Sequence, residues 1–178
     1  MMFGSKPSYL LLVQRNAVVL QNRQAKGSKL TLEVQLVRNL EIVDRPALLS
    51  KLTTFLGAVK NQRVLVVMDR SVVFDKTIDD AEHVVPTEAV RLFTAALPFE
   101  PARRAVISTH AARQLQLFGT NNDLVHVLIE ALEAVAAKAI AVVPLAAYGK
   151  PQTLSKQGVV AHLLDDRHTA EVLNFIKQ

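Results

Sequence analysis

Hydrophobic and polar positions alternate most legibly over residues 114–144, QLQLFGTNNDLVHVLIEALEAVAAKAIAVVP. Leu115 and Leu117 alternate with Gln114 and Gln116, the two-residue period of a strand with one wet face, and Gly119 and Thr120 end it. Asn121, Asn122 and Asp123 offer side-chain oxygens to the free amides of a first helical turn. Leu124, Val125, Leu128, Leu132 and Val135 then make one apolar stripe with Glu130, Glu133 and Lys138 off it, which predicts a helix. Ile140, Val142 and Val143 form a short β-branched run that Pro144 stops. The unit reads as a β-α-β crossover, right-handed if its two strands share a sheet.

Upstream, residues 8–14 (SYLLLVQ), 17–24 (AVVLQNRQ) and 29–37 (KLTLEVQLV) read as three strands joined by hairpin-length links. In the third, Leu30, Leu32, Val34 and Leu36 share one face and Thr31, Glu33 and Gln35 the other, which predicts an antiparallel meander with one buried face. Asp44 is placed to cap a helix with Pro46 in its first turn, and Leu48, Leu49, Leu52, Phe55, Leu56 and Val59 recur at helical spacing up to Lys60. Residues 63–68, RVLVVM, form the continuous apolar run of a central strand. After a turn at Asp69 and Arg70, residues 71–78 read as a strand and 79–86 as a polar loop.

Residues 87–97 predict a helix capped by Thr87, with Val90, Phe93, Thr94 and Leu97 on one face and Pro98, Phe99, Glu100 and Pro101 closing it. Residues 102–114 read two ways, RRAVIST as strand and HAARQL as helix. The stretch 149–158, with Pro151, Ser155 and two glycines, is the linker candidate; 159–164 reads as a strand. Residues 166–177 read as a terminal helix capped by Asp166, with Val172, Leu173 and Ile176 turned inward. Residues 1–7 read as a frayed leader.

Composition adds limits. A chain of 178 residues, half of them apolar and only 5% aromatic, can bury a Val-, Leu- and Ala-rich core as one domain, or one domain with a small lobe. The absence of cysteine excludes disulfides, thiolate metal sites and cysteine nucleophiles, and fits a reducing compartment. No apolar run approaches the roughly 18 residues of a membrane span, so a cytoplasmic location is expected. The net charge of +5 suggests an acidic partner, yet Arg103 and Arg104 are the only adjacent cations and no aromatics interleave with the basic residues. A solvated basic face is the simpler reading, and no nucleic-acid partner is expected.

Catalytic patterns are missing. The histidines at 83, 110, 126, 162 and 168 lack the spacing that puts two metal ligands on one helical face. No G-x-S-x-G surrounds Ser71, Ser108 or Ser155, and no glycine-rich phosphate motif occurs. Asp79, Asp80 and Glu82, like Asp165 and Asp166, read as solvated turns. No catalytic, cofactor or metal residue is therefore assigned, and no enzyme is expected. Phe93, Leu97, Pro98 and Phe99 form the best apolar candidate for a partner-binding surface, with burial in the core as the competing reading.

Three segments carry a resemblance: residues 63–78, RVLVVMDRSVVFDKTI; residues 88–99, EAVRLFTAALPF; and residues 117–147 with their strand, amphipathic helix and valine-rich strand. In that order, behind a three-stranded meander and a helix, they resemble the first half of bacterial actin-like proteins, in particular the type IV pilus assembly protein PilM and the cytoplasmic domain of the type II secretion protein GspL. The resemblance implies an α/β fold, an actin-like or ribonuclease-H-like half fold divided into residues 1–78 (meander, helix, central strand), 79–148 (inserted strand-helix-strand lobe) and 149–178 (linker with a C-terminal strand and helix).

In that family the first hairpin carries an Asp-x-Gly phosphate loop; here Leu12, Val13, Gln14, Arg15, Asn16 and Ala17 supply neither residue, and Asp165, Asp166 and Arg167 lack the glycine of a second one. The resemblance implies a scaffold without ATPase activity or cofactor, whose meander and lobe grip the tail of an inner-membrane partner at the cytoplasmic face, with a homodimer as a further expectation. The alternatives are an actin-like ATP-binding domain completed by another segment or chain, and a basic nucleic-acid-binding α/β domain.

Overall fold

The computed structural model describes residues 6–149, 154 and 156–177. It opens with β1 (Tyr9–Gln14), β2 (Ala17–Asn22) and β3 (Gly27–Thr31), then a small hairpin, β4 (Val37–Arg38) and β5 (Glu41–Ile42). Helix α1 (Arg45–Leu56) leads to β6 (Arg63–Met68). A second group follows, β7 (Phe74–Ile78), α2 (Pro86–Ala96), β8 (Arg104–Ala111) and β9 (Gln114–Asn121). Helix α3 (Asn122–Ala134), β10 (Lys138–Pro144), α4 (Gln157–Asp165) and α5 (Arg167–Val172) complete the chain, with a last 3₁₀ turn at Phe175–Lys177.

The main sheet has the order β10-β6-β1-β2-β3, with β1 parallel to β6, β6 parallel to β10, and antiparallel pairing from β1 to β3. Strands β1 and β6 are unbroken apolar runs because helices cover both of their faces. On one face Leu11, Val13, Val64, Val66 and Met68 meet Leu48, Leu52 and Leu56 of α1 and Leu124, Leu128 and Leu132 of α3. On the other, Leu10, Leu12, Leu65 and Val67 meet Val160, Leu163 and Leu164 of α4 and Ala170 of α5. Asp44 caps α1 as its position predicts, its Oδ1 accepting the Ala47 amide at 3.0 Å.

The second sheet, ordered β7-β9-β8, is antiparallel throughout. Leu115 and Leu117 on one face of β9 pack with Ala89 of α2, while Phe118, Ile107 and Ala105 on the other face join the main core. Gly119 is a site of close approach: a Cβ there would meet Leu97 Cδ1 at 2.8 Å and Phe93 at 3.0 Å, so these side chains rest directly on the β9 backbone where no side chain intervenes.

Several expectations need correction. The third strand stops at Thr31 and does not run to Val37: Leu32 and Leu36 are buried but Val34 is 61% exposed, because residues 32–36 leave the sheet and turn into the β4–β5 hairpin. The crossover's two strands do not share a sheet; β9 belongs to the small sheet and β10 to the main one, and α3 bridges them. The ambiguous stretch 102–114 becomes a 3₁₀ turn and then β8, because eight residues of β9 lie in register to pair with it. Residues 159–164 are helical within α4, their apolar side chains covering the sheet instead of extending it.

Helix α2 starts at Pro86 behind Val85, with no side-chain cap from Thr87. In the terminal segment Asp166 does cap α5, accepting the Thr169 amide at 3.0 Å, but the helix ends at Val172. Ala170, Leu173 and Phe175 turn inward there; Val172 and Ile176 are exposed. Of the linker candidate, residues 150–153 and 155 lie outside the described residues, as do residues 1–5 of the leader.

Tyr148 packs against the second core with its hydroxyl buried and, among the described residues, without a hydrogen-bond partner. Burial, reinforced by the charge of Asp166, pushes its ionisation far above the ordinary tyrosine value. A raised value in the folded state means that this contribution to stability is whole below the unfolded-state value of about 10 and is lost as pH climbs past it. Tyr148→Phe removes the unpaired hydroxyl, so it should raise stability at neutral pH by about 1 kcal/mol and flatten the decline above pH ~10. Urea unfolding at pH 7 and at alkaline pH checks both signs, and a variant with an unchanged alkaline slope contradicts the assignment.

Candidate functional site

Strands β1 and β6 are parallel and end side by side, and the turns that follow them shape one edge of the main sheet. The Asp69 amide donates to the Val13 carbonyl at 2.8 Å, which ties the second turn to the first strand. Asp69 Oδ2 accepts from the Ser71 amide at 3.0 Å and from the Ser71 hydroxyl at 2.6 Å, and Ser71 Oγ in turn accepts the Arg15 amide at 3.1 Å. The backbone amide at the tip of the β1–β2 turn is thus spent inside the protein.

Across from these turns stands the β4–β5 hairpin. Its Asn39 and Leu40 have φ of 49° and 65°, the left-handed pair of a two-residue hairpin turn. Asn tolerates that region; leucine there is strained and persists only where its surroundings hold it. Two contacts do so here. Leu40 is buried in the main core, and its carbonyl accepts from Asn121 Nδ2 at 3.0 Å. Asn121 is 1% exposed, and its Oδ1 also accepts the Asp123 amide at 2.9 Å, so one side chain caps α3 and pins the hairpin. Its neighbour Thr120 donates from Oγ1 to the Val72 carbonyl at 2.7 Å, fixing the turn after β6 to the end of β9.

Between the hairpin, the two turns and the start of the small sheet lies a groove of about 820 Å³. Leu40, Val73, Phe74 and Pro98 supply its apolar lining, and Arg15 and Arg70 its cations. Arg15 reaches Asn39 Oδ1 at 3.0 Å and Arg70 the Gly149 carbonyl at 2.9 Å, while Asp75 and Glu41 bring negative charge to the same walls. Phe74 stands edge-on to Phe99, ring centroids 5.9 Å apart, and keeps 40% of its surface exposed. Among the described residues β7 has only β9 beside it, so its other edge carries no strand.

The four residues singled out in the sequence divide at this place. Leu97 and Phe99 are buried in the main core, Phe93 is half-buried against Gly119, and Pro98 lies on the surface at the groove. Arg15, Asn39, Leu40, Arg70 and Phe74 carried no motif; the turn-forming Asn39 was the one local signal of the hairpin that builds the wall. Among the described residues no group of three or more His, Asp or Glu is placed to hold a metal ion, and no helix is long and apolar enough to cross a membrane.

A five-stranded sheet with three antiparallel strands followed by two parallel ones, helices on both faces and a small sheet entered from β6, defines an actin-like, ribonuclease-H-like half fold. Solved structures of similar fold include the following two. One is the cytoplasmic domain of EpsL, an inner-membrane component of the type II secretion system of Vibrio cholerae, with a TM-score of 0.50 and 9% identity over 82% of this chain and 59% of that one. The other is the PilM–PilN type IV pilus biogenesis complex, with a TM-score of 0.51 and 15% identity over 76% of this chain and 46% of that one. The chain therefore spans about half the length of each, and the resemblance to PilM and to the GspL cytoplasmic domain holds for the fold. No family model and no curated protein matches the sequence.

Proposed function

We propose that the chain is a non-enzymatic adaptor of a pilus or secretion machine, whose groove between the main and small sheets holds an extended segment from the cytoplasmic tail of an inner-membrane protein. The observation that carries this reading is the groove itself: an open strand edge, β7, beside a mixed lining in which Phe74 and Pro98 are the exposed apolar anchors, which is an arrangement that takes a peptide by strand addition. The walls are held from behind by Asn121 and Thr120, so the cleft is preorganised. The two proteins of similar fold supply the context, one being part of a two-protein pilus biogenesis complex and the other a component of the inner membrane.

Phosphate chemistry fits the groove poorly. A phosphate cradle needs free backbone amides converging on the anion, and the Arg15 amide already donates to Ser71 Oγ. A nucleic-acid role is disfavoured by the pairing of Lys6, Arg23, Arg45, Lys51, Arg91, Arg103 and Arg113 with carboxylates, which neutralises a third of the basic residues.

Peptides selected on the folded chain from a displayed random library test the proposal. Phe74→Glu or Pro98→Glu places a charge in the apolar lining and should weaken the selected peptides at least tenfold, about 1.4 kcal/mol, with an unchanged unfolding midpoint for Pro98→Glu. Peptides that bind both variants as well as the parent would place the docking surface elsewhere.

A further inference from the structure

We propose that the free edge of β3, with the groove between β3 and α1, is a second docking surface, and that it takes an extended acidic segment in which an Asp or Glu is flanked by apolar residues. The first observation is the direction of the β3 backbone. Antiparallel neighbours alternate between bonded and non-bonded pairs. The Asn22 amide donates to the Lys26 carbonyl at 2.8 Å and the Leu32 amide to the Asn16 carbonyl at 2.7 Å, which fixes both ends of that alternation. Counting inward through the register, Leu20 with Ser28 and Val18 with Leu30 are the bonded pairs; Val19 with Lys29 and Ala17 with Thr31 are not. The amides and carbonyls of Lys29 and Thr31 therefore point away from the sheet, along its outer edge.

The opposite edge of the same sheet is treated differently. β10 carries a bulge at Ile140, where Ala139 and Ala141 face consecutive residues of β6, and its Val142 amide donates to Asn174 Oδ1 at 2.9 Å. A bulge and a side-chain cover are the usual ways of closing an edge to further strands. β3 has no bulge in its register with β2 and no such cover among the described residues.

The second observation is the groove beside this edge, about 510 Å³, with half-buried Leu30 and Phe55 on its floor and Thr54 and Lys51 of α1 along its wall, where Glu33 pairs with Lys51 at 3.3 Å and leaves Lys29 and Lys26 as the cations open to a partner. Side chains alternate along β3, so Leu30 faces α1 and Lys29 the other way. A strand added at this edge places one residue beside Lys29 and its two neighbours opposite Ser28 and Leu30, on the face that carries the groove. That geometry asks for apolar side chains on either side of a polar one.

Charge selects the polar one. Lys29 and Lys26 are exposed, and neither has a carboxylate partner among the described residues. Two copies of this chain pairing antiparallel about Lys29 would oppose lysine to lysine, which like charges across a ladder disfavour. The same lysine favours Asp or Glu. The edge is thus guarded against its own copy and open to an acidic strand.

The test uses the ¹⁵N-labelled full chain and two blocked peptides, one with valine, glutamate and valine at its centre and a twin with lysine in place of the glutamate. The acidic peptide should shift the Lys29 and Thr31 amide signals and slow their hydrogen exchange, and it should bind at least tenfold tighter than its twin. Lys29→Glu should reverse that preference. Lys29→Pro should abolish binding and leave the fold intact, because the lost amide makes no bond within the sheet. Should Lys29→Pro unfold the hairpin, the charge reversal still decides, since it leaves the backbone unaltered. The proposal is overturned if neither peptide binds at millimolar concentration, if the shifts fall at Val73 and Phe74 in the other groove instead, or if Lys29→Glu leaves the preference unchanged.

Discussion

Replacing Asn121 with leucine should cost about 3 kcal/mol of unfolding free energy, of which about 1 is the lost helix cap and about 2 the Leu40 carbonyl left buried without a donor. The side chain is 1% exposed and serves both partners at once, so no water stands ready to replace it. Asn121→Ser separates the two parts, because a hydroxyl can still accept the Asp123 amide but is too short to reach Leu40. The serine variant should lose the larger part of the energy and keep the cap. Urea unfolding with an unchanged denaturant slope measures both losses. If leucine costs under 1 kcal/mol, the hairpin wall is held by something other than Asn121, and the preorganised groove loses its main support.

The other large effect belongs to Gly27. An added Cβ would lie 1.6 Å from the Leu20 carbonyl oxygen and 2.6 Å from its carbon, both backbone atoms that cannot rotate aside. The chain passes too close to β2 for any side chain there. Gly27→Ala must push the start of β3 off the sheet, and we expect a loss of about 3 kcal/mol, at the upper end of overpacking costs. The loss should be local: Ser28 and Leu30 amides should exchange faster, while β1 and β6 keep their protection. A variant that melts with the parent and keeps slow exchange at Leu30 would contradict this geometry. The same variant should also lose the acidic peptide proposed for the β3 edge, which links the stability of that hairpin to its use.

Much of this fold was legible in the residues. The apolar runs at 10–13 and 64–68 mark strands buried on both faces, Asp44 with Pro46 marks the start of α1, and the stripe from Leu124 to Leu132 marks α3. The failures have physical causes. Residues 30–36 alternate like a strand, yet the alternation serves a turn that buries Leu32 and Leu36 from a different direction and leaves Val34 outside. Residues 159–164 are rich in β-branched and aliphatic side chains, and with no partner strand available at the β10 edge they fold as a helix over the sheet.

The groove was the least legible part. Arg15, Asn39, Leu40, Arg70 and Phe74 are scattered along the sequence and come together only through the parallel pairing of β1 with β6 and the hydrogen bonds of Asn121 and Thr120. Of the apolar set Phe93, Leu97, Pro98 and Phe99, Pro98 lines this groove and Phe99 supports Phe74 from behind, while Leu97 and Phe99 are themselves buried in the core.

The adaptor role proposed above requires a fold that binds protein segments without a nucleotide. Thermal unfolding in the presence of magnesium-ATP tests it most directly, because a ligand at a hundred times its dissociation constant adds about 2.7 kcal/mol and moves the midpoint by several degrees. The midpoint is expected to stay in place up to millimolar magnesium-ATP. A saturable rise, abolished by Arg15→Ala or Arg70→Ala in the groove, would contradict it and assign the cleft to phosphate binding.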